Sequence, residues 1–145
     1  MKNKIQNSVS VLMLLFLLSS SANAQMLLGS DAVGRVYLSN LNISIGIPTS
    51  MQSQLVRQDF ENESIFNLKD GNNSPVFLFS VSKVTGVQWM QIKDQVKDYT
   101  IIENKDEFIT FVQKTDVRKI KGAANDQYQS AIQQLDGMIA SIHFN

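Results

Sequence analysis

Residues 75–90 read PVFLFSVSKVTGVQWM, and they carry the strongest secondary-structure signals in the chain. Its first half contains a continuous apolar run at residues 76–79, which is typical of a strand covered on both faces. Residues 75–81 are therefore predicted to form a central strand. In the second half, Thr85 and Gln88 have the spacing of a capping box, which predicts that a helix begins at this threonine.

Downstream of this stretch the chain predicts a helix, a hairpin and a second helix. Trp89, Ile92 and Val96 follow one another at spacings of three and four, which gives the first helix one apolar stripe. The apolar side chains between residues 128 and 142 fall along one face in the same way. The predicted elements on this side are a helix from Thr85, strands at 99–102 and 108–112, and a helix that begins near Asn125.

Upstream, the chain predicts four shorter strands. Apolar residues alternate through residues 35–47 and Pro48 ends the pattern, which indicates a strand, a turn and a second strand. Two more strands are predicted at residues 55–60 and 64–68, joined by an acidic turn. Because the strands cluster instead of alternating singly with helices, we expect an α+β domain with an antiparallel sheet and two main helices packed on it.

The first 24 residues predict a secretory signal peptide. Two lysines form a basic start, residues 9–18 are apolar except for one serine, and the segment ends at Ala24 in an A-x-A cleavage pattern. The apolar run is about half of the roughly 20 residues that a membrane-spanning helix needs. We therefore expect a cleaved leader and no stable membrane anchor. The mature protein would be one domain, residues 25–145, in a bacterial periplasm or outside the cell.

Charge and cysteine content exclude several classes of function. The chain has 13 basic and 13 acidic residues, and the predicted leader holds two of the basic ones, leaving 11 basic against 13 acidic. Nucleic-acid binding depends on a basic surface, so this class of partner is not expected. The absence of cysteine excludes disulfides, thiolate metal sites and a cysteine nucleophile.

The titratable residues predict no catalytic site, no metal site and no cofactor. His143 is the single histidine and is expected to be exposed or at a sheet edge, because a catalytic base needs partners that hold it rigidly. Asn, Gln and Lys surround the carboxylates, which indicates solvent instead of a dry cleft. The three carboxylate groups considered for acid–base chemistry are Asp59 with Glu61 and Glu63, Asp94 with Asp98 on adjacent turns of the first helix, and Glu103 with Asp106 and Glu107.

Two loop patterns are also interpreted as structural. Asp70, Asn72 and Asn73 offer oxygen ligands of the kind that calcium prefers, but the twelve-residue spacing ending in a glutamate is missing. A turn is the expected structure here. The glycines match no phosphate-binding or dinucleotide fingerprint, so no nucleotide site is predicted.

The most strongly charged stretch, residues 114–121, is a candidate binding patch. It could dock an acidic partner or a lipid headgroup surface. The alternative is a solvated loop or edge strand, because lysine commonly protects exposed sheet edges. The candidate partner-binding residues are Lys114, Arg118, Lys119 and Lys121.

Three segments resemble those of the PsbP-like and DcrB-like exported domains. They are residues 42–48 (NISIGIP), the strand at residues 76–82 that leads to a helix, and the end of the last helix at residues 139–144. The resemblance covers most of the mature chain and implies an antiparallel sheet with helices on its faces. It also implies an accessory or adaptor role without an enzymatic centre. The chain is short, with little room for a third helix, and no functional residue can be transferred.

The sequence therefore predicts a non-catalytic interaction module that binds a protein partner. The alternative is a small-ligand or lipid binding protein with a pocket near Trp89, where Phe77 and Phe79 would line the pocket instead of belonging to the core. A hydrolase that uses a carboxylate pair is a third hypothesis.

Overall fold

The structure is a computed structural model that describes residues 32–69, 75–115 and 125–145. These residues form an α+β fold of two antiparallel sheets and three helices. No helix in these ranges is long and apolar enough to cross a membrane. The strands are β1 (Val33–Leu38), β2 (Ile43–Pro48), β3 (Leu55–Asp59), β4 (Glu63–Lys69), β5 (Pro75–Thr85), β6 (Tyr99–Lys105), β7 (Phe108–Lys114) and β8 (His143–Phe144). The helices are α1 (Thr49–Gln52), α2 (Gly86–Ile92) and α3 (Asn125–Ala140).

The larger sheet has five strands in the order β3-β4-β5-β7-β6. The prediction that the apolar run forms the central strand is confirmed, because β5 lies between β4 and β7 and is buried throughout residues 78–82. Phe79 of β5 stacks on Phe66 of β4, with ring centroids 4.5 Å apart. The strand is longer than predicted and continues to Thr85.

The smaller sheet has three strands in the order β1-β2-β8. Its middle strand contains Gly46, whose N–H donates a hydrogen bond to the Ser141 hydroxyl at 2.7 Å. A Cβ atom at Gly46 would lie 2.9 Å from Ser141 Oγ and 2.9 Å from Val33 Cγ1, closer than real Cβ atoms approach. Glycine is therefore required where the end of α3 meets β2.

One hydrophobic core joins the two sheets and α3. Tyr128 of α3 is buried; its hydroxyl donates to the Phe77 carbonyl and forms a hydrogen bond of 3.2 Å with the Thr115 hydroxyl. Burial raises the pKa of Tyr128, and the hydrogen bond with Thr115 lowers it by less. The main core residues are Leu38, Leu41, Ile43, Ile45, Ile47, Met51, Phe66, Leu68, Leu78, Phe79, Val81, Val112, Tyr128, Ala131, Leu135 and Met138.

A second, smaller cluster lies under α2. The ring of Trp89 contacts Tyr99 edge-on at 4.9 Å and Phe111 at 4.8 Å. The predicted capping box is confirmed, because the Gln88 N–H donates to Thr85 Oγ1 and the Gln88 side chain accepts from the Thr85 N–H. The small helix is thus fixed at its start by the cap and along its length by the tryptophan.

The prediction that Asp94 and Asp98 lie on adjacent turns of this helix is wrong. The helix ends at Ile92, and Asp98 has a left-handed backbone with φ 52°. Val96 still packs against the Trp89 cluster, because its N–H donates to the Ile92 carbonyl and one further turn of chain follows the helix.

A polar network joins the two sheets where β3 and β4 approach β1. Ser64 is fully buried, and its single hydroxyl proton is shared between Asp59 Oδ1 at 2.9 Å and Asn40 Oδ1 at 3.2 Å. The Asn40 amide in turn donates to the carbonyls of Phe60 and Glu63. We refer to these bonds as the polar seam, because they tie the β1–β2 turn to the β3–β4 turn.

Candidate functional site

An open cleft of about 190 Å³ separates the two sheets at the end of the molecule where the β1–β2 turn faces the β6–β7 turn. Its walls combine charged, amide and aromatic side chains. We call it the inter-sheet cleft. It is lined by Leu41, Asn42, Lys83, Glu103, Lys105, Asp106, Phe108, Phe144 and Asn145.

A β-bulge in β6 directs two of the charged residues into this cleft. Ile101 lies opposite Phe111 and Glu103 lies opposite Thr110, so Ile102 is an extra residue without a partner in β7. Because side chains alternate between the faces of a strand, the extra residue reverses the alternation. Glu103 therefore lies on the cleft side, whereas without the bulge it would share the α2 side with Ile101.

Lysine and glutamate side chains flank the same buried residue in this sheet. Lys83 of β5 and Glu103 of β6 both lie opposite Thr110 of β7. The Lys83 ammonium lies 4.9 Å from the centroid of the Phe108 ring, a cation–π contact. Among the described residues, the ion pairs are Arg57 with Asp59 and Lys114 with Asp136, so the charges of the cleft are not paired with one another.

The asparagines on the opposite wall have structural partners. Asn42 accepts from the Tyr37 hydroxyl at 2.9 Å and donates to the Asn145 carbonyl at 2.7 Å. Asn42 and Asp106 both have left-handed backbones, with φ 56° in each, a conformation that Asn and Asp adopt in tight turns. Two turns with this geometry thus form the rim of the cleft.

The structure gives two carboxylates of the first predicted group, Asp59 and Glu63, separate partners. Asp59 pairs with Arg57, and Glu63 accepts a hydrogen bond from the Ser82 hydroxyl at 3.0 Å. Glu103 and Asp106 both line the inter-sheet cleft. Within the described ranges, no three His, Cys, Asp or Glu residues are grouped so that they could hold a metal ion. The loop at residues 70–73, considered for calcium, lies outside the described residues.

The remaining candidates have simple environments. His143 is exposed on the edge strand β8, as predicted. Trp89 is almost fully buried in its aromatic cluster, and the inter-sheet cleft is lined by other residues. Phe79 belongs to the main core, whereas Phe77 is half-buried and its carbonyl accepts from Tyr128.

Part of the candidate basic patch can be placed. Lys114 is the last residue of β7, and its ammonium lies 3.0 Å from Asp136 of α3 in an exposed ion pair. Exposed ion pairs contribute little to stability, so Lys114 can leave Asp136 and pair with an acidic group of a binding partner. Arg118, Lys119 and Lys121 lie outside the described residues.

A second candidate surface lies along β6, at one edge of the five-stranded sheet. The Lys114 N–H donates to the Asp98 carbonyl at 2.9 Å, and Tyr99 lies opposite Gln113. Antiparallel strands alternate between hydrogen-bonded and non-hydrogen-bonded pairs. The backbone N–H and C=O groups of Tyr99 and Ile101 therefore point away from β7, and no described strand pairs with them.

Exposed apolar side chains accompany this open edge. Val87 and Met90 of α2 are 73% and 62% exposed, and Tyr99 and Ile101 of β6 are 41% and 44% exposed. The two elements meet at Trp89, whose ring contacts Tyr99. We call these four side chains, together with the outward backbone of β6, the α2–β6 surface.

The other edge strands in the described part of the chain are protected. In β1, Arg35 stands between Val33 and Tyr37, and the Tyr37 carbonyl accepts from the Arg57 guanidinium at 3.2 Å. In β3, Arg57 and Asp59 carry charge at the edge, and β8 has two residues. Charged side chains and very short edge strands are common ways to prevent strand addition. The first half of β6 has neither.

Comparison with protein-family models finds no matching family, and comparisons with curated proteins and with solved structures find no match either. The resemblance to the PsbP-like and DcrB-like domains therefore stays a prediction.

Proposed function

We propose that this protein is a non-catalytic, exported binding module whose protein partner adds an extended strand to β6. The observation that carries the proposal is the open, uncharged edge at Tyr99 and Ile101 beside exposed apolar side chains of α2. In this proposal the signal peptide directs the mature chain, residues 25–145, to a bacterial periplasm or to the exterior. The PsbP-like architecture, with its accessory role, belongs to the same proposal.

The edge of β6 offers the chemistry that strand addition uses. An added strand gains main-chain hydrogen bonds to the outward N–H and C=O groups, and side-chain contacts provide the specificity. Tyr99 and Ile101 provide two donors and two acceptors in alternation. An added strand would also cover part of the exposed apolar area of Tyr99 and Ile101, which stabilises the complex through the hydrophobic effect. The favoured partner therefore presents an extended, predominantly apolar segment.

The basic stretch at residues 114–121 is a separate contributor to binding in this proposal. It begins at the end of β7, the neighbour of β6 in the sheet. Positive charge near an apolar docking surface increases the association rate with an acidic partner. Replacing Lys114, Arg118, Lys119 and Lys121 together by alanine should slow capture of the partner, and unchanged capture would remove this stretch from the proposal.

The proposal is tested by affinity capture from the exported fraction of the native cell with two matched variants. Ile101→Lys introduces a charge at the open edge of β6, and Gln58→Lys introduces the same charge at an exposed position of β3. We expect Ile101→Lys to abolish capture of a specific protein that wild type and Gln58→Lys both retain. Equal capture by both variants, each with an unchanged thermal unfolding midpoint, would refute strand addition at β6.

A further inference from the structure

We infer that the inter-sheet cleft binds a small zwitterion of the α-amino-acid class with an apolar side chain. This inference concerns a different surface from the α2–β6 surface and does not depend on the proposed function. It rests on three features of the cleft: opposite charges held apart across one strand, an apolar wall, and a volume suited to a small molecule.

The charge arrangement favours a ligand that carries both signs. Lys83 of β5 and Glu103 of β6 lie on the same face of the sheet, on either side of Thr110 in β7. Two strand spacings place their Cα atoms about 10 Å apart. The two side chains are not in ion-pair contact with each other. A zwitterion between them would accept from the lysine with its carboxylate and donate to the glutamate with its ammonium, at about 2.8 Å each.

The bulge at Ile102 indicates that the opposing charges are placed by the fold. β-Bulges are over-represented next to functional sites, where they redirect a side chain. Here the extra residue brings Glu103 and Lys105 to the cleft side, on the same strand whose first half faces α2. Lys105 lies opposite Phe108, so a second ammonium flanks the aromatic wall. The carboxylate of the ligand would therefore meet two cations, Lys83 and Lys105.

The apolar wall and the size of the cleft limit the ligand. Leu41, Phe108 and Phe144 provide apolar and aromatic contact beside the charged groups. The cleft holds about 190 Å³, whereas pockets for drug-sized ligands span about 300–1,000 Å³. A free amino acid with an apolar side chain fits the small volume of the cleft. Its side chain can lie against the two phenylalanine rings of the apolar wall.

The inference is tested by titrating the ¹⁵N-labelled chain with L-phenylalanine and following backbone amide shifts. We expect saturable shifts at Lys105, Phe108 and Thr110. N-acetyl-L-phenylalanine lacks the ammonium and L-phenylalaninamide lacks the carboxylate, so each should bind at least about tenfold more weakly, because one charge-assisted hydrogen bond is lost. Saturable binding of either derivative with the affinity of the amino acid would overturn the inference, as would no shifts at millimolar L-phenylalanine.

Variants separate this site from a general charge effect. Lys83→Met keeps the aliphatic stem over Phe108 and removes the ammonium, and Glu103→Gln removes the carboxylate charge. Each should weaken binding of L-phenylalanine about tenfold or more. Glu107→Gln is the matched control, because Glu107 lies in the β6–β7 turn but outside the cleft lining. This variant should bind as wild type does. Wild-type affinity in both cleft variants, with the amide spectrum of a folded chain, would exclude the site.

Discussion

The two edges of the five-stranded sheet are protected very differently. At β3, the backbone groups that point away from the sheet belong to Leu55, Arg57 and Asp59. The two charged residues pair with each other, and Arg57 also binds the neighbouring sheet. At β6, they belong to Tyr99 and Ile101, which carry no charge. The edge at β3 is integrated into the polar seam, whereas the edge at β6 is left open.

The open edge at β6 belongs to a strand that contributes to two surfaces. The first half of β6 faces α2 with apolar side chains, and the bulge at Ile102 turns the second half toward the inter-sheet cleft. Charged residues thus protect the second half of the edge and line the cleft at the same time. The first half has no such protection, because Tyr99 packs against Trp89 and a charge at that position would disrupt the contact.

The largest expected effect concerns the side of the sheet that holds β6. Trp89→Ala should lower the free energy of unfolding by about 3–5 kcal/mol, the usual cost of removing a buried large aromatic side chain. Denaturant titration measures this value. Val87→Ala on the exposed face of the same helix is the control and should change stability by less than about 0.5 kcal/mol. If Trp89→Ala cost no more than this control, α2 would not support β6.

A smaller effect is expected at the polar seam on the β3 side. Ser64→Ala leaves Asp59 and Asn40 without a buried donor and should cost about 1–3 kcal/mol in unfolding free energy. Ser39→Ala, at an exposed turn position, is the control and should be near neutral. Equal unfolding free energies for the two variants would show that the seam does not hold the β3 edge.

Tyr128 of α3 provides a reference away from both edges, because its hydroxyl bonds to the central strand β5. Its pKa is raised by burial, so the folded state holds the phenolic proton more tightly than the unfolded state does. The unfolding free energy contributed by this group is therefore complete below about pH 10, the ordinary tyrosine pKa, and is lost as the pH rises above it. Tyr128→Phe should weaken this alkaline decline and cost about 1 kcal/mol at neutral pH, through loss of the hydrogen bond to Phe77. Urea titrations at pH 7 and pH 10.5 measure both effects. An unchanged alkaline decline in the variant would show that a different group causes the loss of unfolding free energy.

The smallest effect on stability is expected at the α2–β6 surface itself. Val87→Lys and Met90→Lys replace exposed side chains and should change the unfolding free energy by less than about 0.5 kcal/mol. Both should nevertheless weaken capture of the partner, because an added charge is desolvated in the complex. Lys93→Gln, just beyond the same helix, is a control for charge change. Undiminished capture by both lysine variants would restrict the docking surface to β6.

Much of the fold could be predicted because local signals and burial agree. The apolar run at residues 76–79 identified the central strand, and Thr85 with Gln88 identified the start of α2. The division into two sheets could not be predicted, because it depends on which strands pair over long distances. The same holds for β8, which forms when the chain after α3 returns to Ile43 and Ser44.

The candidate sites were harder to predict, because the cleft depends on a β-bulge and the α2–β6 surface depends on which strand lies at the sheet edge. Glu103 and Asp106 belong to a predicted carboxylate group around a hairpin turn, and nothing local shows that Ile102 lacks a partner in β7. The open edge of β6 also follows from strand order, which depends on the whole sheet. The one local signal was the uncharged sequence Tyr-Thr-Ile-Ile at residues 99–102, beside an exposed valine and methionine.

Amide hydrogen exchange, with and without the captured partner, is the most direct test of strand addition at β6. In the free protein the N–H groups of Tyr99 and Ile101 should exchange rapidly, whereas that of Thr100, which bonds to β7, should be protected. Addition of the partner should protect Tyr99 and Ile101 and leave Arg57 and Asp59 of β3 unchanged. Protection at β3 instead, or no change at β6 in a complex that has formed, would contradict the assignment of β6 as the docking edge.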